Sequence, residues 1–146
     1  MLNWSGVAPP TSPPLNDPFA WSIVMRGAGG TTTGSNVNAT KETGEPDHWP
    51  ANAGGASVWW VWTAPSTGSV TVSTFGSTFD TVLAVYTGSA VNALTLIAAN
   101  DDAGGYAQSR VTFTANGGTT YRIAVDGYRF SGMVASTGTI VLNWGP

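Results

Sequence analysis

Apolar residues fall on every second position through most of the chain's hydrophobic segments. Val58, Trp60 and Trp62 alternate with Trp59 and Val61, Val70 and Val72 with Thr71 and Ser73, and Val111, Phe113 and Ala115 with Thr112 and Thr114. The same period orders Tyr121, Ile123 and Val125 against Thr120, Arg122 and Ala124, and Ile140, Leu142 and Trp144 against Thr139, Val141 and Asn143. Successive strand side chains point to opposite faces, so each segment reads as a strand with one buried face. Threonine on the other face suits a strand and keeps that face wet. Residues 81–86 (Thr-Val-Leu-Ala-Val-Tyr) are apolar nearly throughout, the pattern of a strand covered on both sides. Pattern alone does not separate this run from a short helix, but Gly76 before it and Thr87-Gly88-Ser89 after it leave too few residues for one. Turn signals punctuate the runs at 65–68, 100–105, 116–118 and 126–127. About eight strands and no convincing amphipathic helix predict an all-β fold of two packed antiparallel sheets. Residues 17–25 have room for one helical turn, although Pro18 favours an irregular entry segment.

Composition narrows the functional classes. The 146 residues are 42% hydrophobic, enough for one domain's core, and only 9% charged, with Gly 19 and Pro 9 supplying turns. A formal net charge of -3, from Lys+Arg 5 against Asp+Glu 8, offers no basic surface to nucleic acid or anionic lipid. No apolar run approaches the roughly 18 residues of a membrane span. With Cys 0, disulfides, thiolate nucleophiles and Cys-ligated zinc are excluded.

The two ends share a short motif. Leu2-Asn3-Trp4 recurs as Leu142-Asn143-Trp144, and the first copy is followed by the proline-rich Val7-Ala8-Pro9-Pro10-Thr11-Ser12-Pro13-Pro14, an extended spacer. The expected organisation is the end of a preceding repeat plus linker over 1–14 and a sandwich domain over 15–146, a monomeric unit of a tandem array.

Several motifs together resemble the bacterial pre-peptidase C-terminal domain family and its Trp-rich relatives. They are Asn16-Asp17-x-Phe19-Ala20, Gly44-Glu45-Pro46, residues 57–65 (Ser-Val-Trp-Trp-x-Trp-Thr-Ala-Pro), Phe79-Asp80-Thr81-x-Leu83-x-Val85-Tyr86, Asn100-Asp101-Asp102 and Tyr121-x-Ile123-x-Val125-Asp126-Gly127. The resemblance implies a jelly-roll-like β-sandwich appended to secreted hydrolases and cell-surface proteins. It is similar also to the collagen-binding domains of clostridial collagenases, and so implies calcium held by acids of the entry segment and of the loop before the Trp strand. Gly44-Glu45-Pro46-Asp47-His48-Trp49 stands here where those domains have a denser run of Asp.

Two acidic groups are candidate calcium ligands. The first is Asn16, Asp17, Glu42, Glu45 and Asp47, oxygen donors from two chain segments; the competing reading makes Asp17 a turn cap and leaves Glu42 and Glu45 in solvent near Lys41. The second, weaker group is Asp80, Asn100, Asp101 and Asp102, which adjacent strands would bring to one edge; there the competing reading is Asx side chains bonding their own loop amides. His48 is the lone histidine, and residues 75–79 (Phe-Gly-Ser-Thr-Phe) lack the second glycine of a nucleophile elbow. An enzyme of the glycosidase type is therefore a distant alternative. Trp60, Trp62 and Trp144 share the core-facing sets. Trp59 points the other way, and with Trp49, Tyr106 and Tyr128 forms a candidate platform for stacking sugars or peptide side chains, unless Phe19 or Trp21 covers it. The expected function is a noncatalytic module of a secreted or cell-surface protein that binds an extracellular polysaccharide or protein polymer. A structural spacer without ligand is the alternative.

Overall fold

The computed structural model describes residues 12–146; the Leu2-Asn3-Trp4 motif lies outside them. Among the described residues nine strands form two sheets: β1 (Ile23–Met25), β2 (Gly30–Ser35), β3 (Val58–Thr63), β4 (Gly68–Ser73), β5 (Thr81–Thr87), β6 (Thr95–Asn100), β7 (Arg110–Ala115), β8 (Thr120–Gly127) and β9 (Thr139–Gly145). Sheet A has the order β1-β3-β8-β5-β6 and sheet B the order β2-β9-β4-β7. The fold is thus an all-β sandwich, and every pairing but one is antiparallel. The exception is β1, which runs parallel to β3 with Ile23 opposite Trp60 and Met25 opposite Trp62.

The period-two segments behave as strands with one buried face. In β7 the alternation is complete, with Val111, Phe113 and Ala115 buried and their neighbours exposed. On the wet face of sheet B the Thr71 and Thr112 hydroxyls meet across β4 and β7 at 2.9 Å. The inward sets of both sheets form the main core, where Trp60, Leu83, Ile123, Val125, Ile140 and Leu142 are wholly enclosed. In β5 residues 81–86 are all buried, because the strand lies between β8 and β6 and is covered on both faces.

That second cover is an added layer. Residues 12–22, the segment before β3 and the β5–β6 loop close over the outer face of sheet A, where Phe19, Trp59, Ala84, Tyr86 and Ala124 form a separate cluster with Val91 and Leu94 against it. The entry segment is more ordered than its prolines suggest. Pro18 precedes a 3-10 turn over Phe19–Trp21, which ends where the Ser22 hydroxyl donates back to the Phe19 carbonyl at 2.6 Å.

β2 has no apolar side chain. Gly34 lies against the Trp60 ring, and a Cβ there would stand 3.0 Å from the ring carbon Cζ2; the strand covers the indole because it lacks a side chain at that point.

Candidate functional site

The entry segment is bound to the sheet by the acids expected to hold calcium. The Asn16 carbonyl accepts from the Trp59 amide at 2.9 Å and its side-chain amide donates to the Trp59 carbonyl at 3.0 Å, so Asn16 pairs with β3 as a strand residue would. Asp17 accepts from the Thr40 amide at 2.6 Å and from the Thr40 hydroxyl. Glu42 accepts the Phe19 amide at 2.7 Å, and Lys41 bridges Asp47 and the Ala53 carbonyl. Glu45 is buried and accepts from the Glu42 amide at 2.9 Å, the Ser57 hydroxyl and His48. The structure brings all five residues to one region, but each is already engaged with a protein partner. Together they form a hydrogen-bonded clasp.

His48 is sealed inside that clasp. Its Nε2 lies 2.6 Å from Glu45 Oε1 and its Nδ1 2.7 Å from the Tyr86 hydroxyl, while its ring meets the Trp59 ring edge-on at 5.3 Å. Burial, then the charges of Glu45, Asp126 and Asp47, push the Tyr86 phenol well above its ordinary range. Ser57, Glu45 and His48 are the residue types of a catalytic triad in the wrong order. Glu45 bonds both others, so the imidazole has no path to the Ser57 proton, and none of the three reaches solvent.

Asp126 is a second buried hub, at the end of β8 where the pattern suggested a turn. It accepts from the amides of Gly55 at 3.1 Å, Ala56 at 2.8 Å and Gly127 at 2.7 Å. Gly54, at φ 56, passes so close that a Cβ would collide with the carboxylate. Burial raises the Asp126 carboxyl above the usual carboxylate value, an effect opposed by His48 and the three amides.

The second acidic group converges in part. Asp80, in the β4–β5 loop, and Asp101 and Asp102, after β6, each present an oxygen within 4.8 Å of the others'. Asn100 stays outside the trio: its Oδ1 accepts the Arg110 amide at 3.0 Å and its amide donates to the Asp102 carbonyl at 3.3 Å. Burial first, then the charges of Asp102 and Asp80, raise the Asp101 carboxyl to about 6, and burial and Asp102 raise Asp80.

The aromatic set divides. Trp59 is 0% exposed, so as a ligand platform it is a correction: Phe19 abuts its ring edge-on at 5.0 Å and His48 closes another side. Trp49 is half-buried in its loop. Tyr106 is 63% exposed and meets the Phe75 ring edge-on at 6.0 Å. Tyr128 is half-buried, packs against exposed Phe130 at 5.0 Å, and its amide donates to the Asp80 carbonyl at 2.9 Å. The β4–β5, β6–β7 and β8–β9 loops thus gather the acidic trio, Tyr106, Tyr128 and Phe130 at one end of the sandwich. Exposed Met133 and Val134 stand in the same β8–β9 loop, where no periodic pattern marks them. Two cavities of about 360 and 380 Å³ involve none of these residues; one is lined by Trp62, Pro65 and Val70, the other by Met25, Arg26 and Val61.

Comparison with known proteins gives likeness in three dimensions alone. No family model matches the chain, and no curated protein matches its sequence. Its structure is similar to the pre-peptidase C-terminal domain of a collagenase from Bacillus anthracis, the kind of domain the motifs resemble, with TM-score 0.49 and 15% identity over 84% of this chain and 93% of that one. It is similar also to PliG of Aeromonas hydrophila, a periplasmic inhibitor of g-type lysozyme, with TM-score 0.52 and 14% identity over 85% of this chain and 94% of that one.

Proposed function

We propose that this domain is a noncatalytic accessory module of a secreted or cell-surface protein, and that it holds an extracellular polymer, carbohydrate before protein, through the loop end that carries Tyr106, Tyr128 and Phe130. The observation that carries this reading is the presence of exposed Tyr106 and Phe130, with half-buried Tyr128, on two loops at one end of a chain with few charges. Flat rings with polar rims stack on sugar rings without ion pairs, so retention is expected to depend little on salt. The enclosed His48 and its acid-centred network support the noncatalytic half of the reading.

The test is retention of the chain on insoluble cellulose, xylan or chitin, with Tyr106→Ala and Tyr128→Ala beside it. Retention of the parent, weakened at least several-fold in either variant while both still melt cooperatively, supports the proposal. A parent that ignores every glycan on an array leaves the module a structural spacer.

A further inference from the structure

The turn between β7 and β8 is interlocked with the turn between β3 and β4, at the end of the sandwich away from Tyr106 and Tyr128. The Gly118 amide donates to the Ala64 carbonyl at 2.8 Å, the Ala64 amide to the Thr119 carbonyl at 3.0 Å, and the Gly117 amide to the Thr67 hydroxyl at 2.9 Å. A Cβ on Gly117 would stand 3.1 Å from Ser66 Cα and from the Thr67 nitrogen, and Gly118 has φ 84. The close approach of the two turns and the left-handed backbone therefore call for glycine at both positions. The residue before them is Asn116, whose backbone amide donates to the hydroxyl of buried Tyr121 at 2.9 Å. Its side chain is exposed, and no described residue bonds it. Of the chain's asparagines, Asn116 alone precedes a glycine. A glycine nitrogen has no side chain beside it to obstruct attack on the preceding side-chain amide, so what the packing requires at 117 also makes Asn116 chemically labile.

We propose that Asn116 is a site of spontaneous deamidation whose rate is set by the bond from Gly117 to Thr67. The Gly117 nitrogen gives up its proton to water or hydroxide and bonds to Asn116 Cγ; the Cγ–Nδ2 bond breaks and ammonia leaves, closing a succinimide ring. Water then opens the ring. Cleavage at Cγ gives aspartate and cleavage at the main-chain carbonyl carbon gives isoaspartate; either way one water is consumed and one ammonia released, with no change of oxidation state. The exposed turn supplies the water. While the Thr67 hydroxyl accepts its proton the nitrogen is not free to attack, so local opening of the turn precedes the reaction. Isoaspartate lengthens the main chain by a methylene, and the bonds from residue 116 to Tyr121 and from Gly118 to Ala64 then no longer fit together. Either product adds a negative charge to a chain already at -3. Pro65, Thr67 and Ala115 also line the cavity at this end, so the modification loosens that end and leaves the loops of the polymer reading untouched. The two proposals are therefore independent.

The test incubates the whole chain for weeks in warm neutral buffer, folded and in urea, and reads modification by peptide mapping with mass spectrometry and by isoaspartate methyltransferase labelling. A gain of one mass unit confined to the peptide that holds Asn116 is expected, with aspartate and isoaspartate both present and one ammonia released per modified chain. The chain in urea should convert at least several-fold faster than the folded one. Folded Thr67→Val, which lacks the accepting hydroxyl, should convert about fivefold faster than the folded parent, the factor that corresponds to one neutral hydrogen bond of about 1 kcal/mol. Thr95→Val, exposed on β6, should leave the rate unchanged. The aged parent should melt below the fresh one, while Asn116→Gln should stay unmodified at this position and keep its melting temperature. A folded parent still unmodified at Asn116 when the chain in urea has fully converted, modification that appears first at another asparagine, or equal rates in Thr67→Val and the parent overturns the proposal.

Discussion

Trp59 and Trp60 are neighbours on β3 and both are fully enclosed, yet what encloses them differs. Trp60 points between the sheets, against strands whose side chains are almost all aliphatic or aromatic. Trp59 points out of sheet A and is enclosed by Phe19, Tyr86 and His48, from an entry segment, a strand and a loop tied together by Glu45 and its bonds. The inner core is closed by regular structure, the outer one by polar side chains that hold irregular chain in place. Equal burial therefore does not mean equal resistance to opening.

The largest expected effect separates the two faces. Trp60→Ala leaves a void between sheets that cannot collapse and should lose about 4–5 kcal/mol, the upper range for large-to-small core changes; Trp59→Ala should lose nearer 3, because loops relax into the space. Urea unfolding measures both. Amide exchange sharpens the contrast: in Trp59→Ala, protection should fall selectively near Phe19 and His48 while β8 keeps its own.

The polar half of the outer core supplies the next effect. Glu45→Ala leaves His48 Nε2, the Ser57 hydroxyl and the Glu42 amide without their acceptor, at about 1–3 kcal/mol. A double-mutant cycle of Glu45→Ala with His48→Ala should give coupling of at least about 0.5 kcal/mol. Additive losses would mean that the pair fills space without acting as a unit.

The smallest effect is in the pH dependence of Asp126. Its carboxyl is raised above the usual 3.8, so the folded state holds this proton at pH values where the unfolded chain has released it. The stabilisation from that proton is full below 3.8 and is lost as pH rises through the folded value. Asp126→Asn keeps an oxygen acceptor for the three amides but removes the titrating proton, so any deficit against the parent should shrink as pH rises through that window. The slope cannot exceed about 1.4 kcal/mol per pH unit, the limit for one proton. Urea midpoints across the acid range measure it.

Wherever one face is apolar and the other is Thr or Ser, as in β4 and β7, the alternation identified the strand. β2 escaped because Gly30-Thr-Thr-Thr-Gly34-Ser35 has nothing to bury; Trp60 supplies the apolar surface that it covers. β6 shows no such alternation because it is a sheet edge, with Leu96 and Ile97 exposed, and only its end before Asp101 was legible. The outward direction of Trp59 followed from its parity on β3, but its cover depends on contacts between distant segments that no local pattern encodes. The meeting of Asp80 with Asp101 and Asp102 was legible because strand ends bring loops together. The exclusion of Asn100 was not, since it turns on which loop amide the side chain reaches first.

The parallel pairing of β1 with β3 has a mechanical consequence. The described chain enters beside Trp59 at one end of the sandwich and leaves at Pro146 at the other, and both β1 and β9 run from the first end toward the second. A pull along that axis slides β1 against β3 and β9 against β2 and β4, so each set of backbone hydrogen bonds is loaded in shear, all at once. Strands peeled from one end would break theirs one after another at lower force. Linked in series, such domains would act as stiff tensile elements, extending little until a whole strand slips.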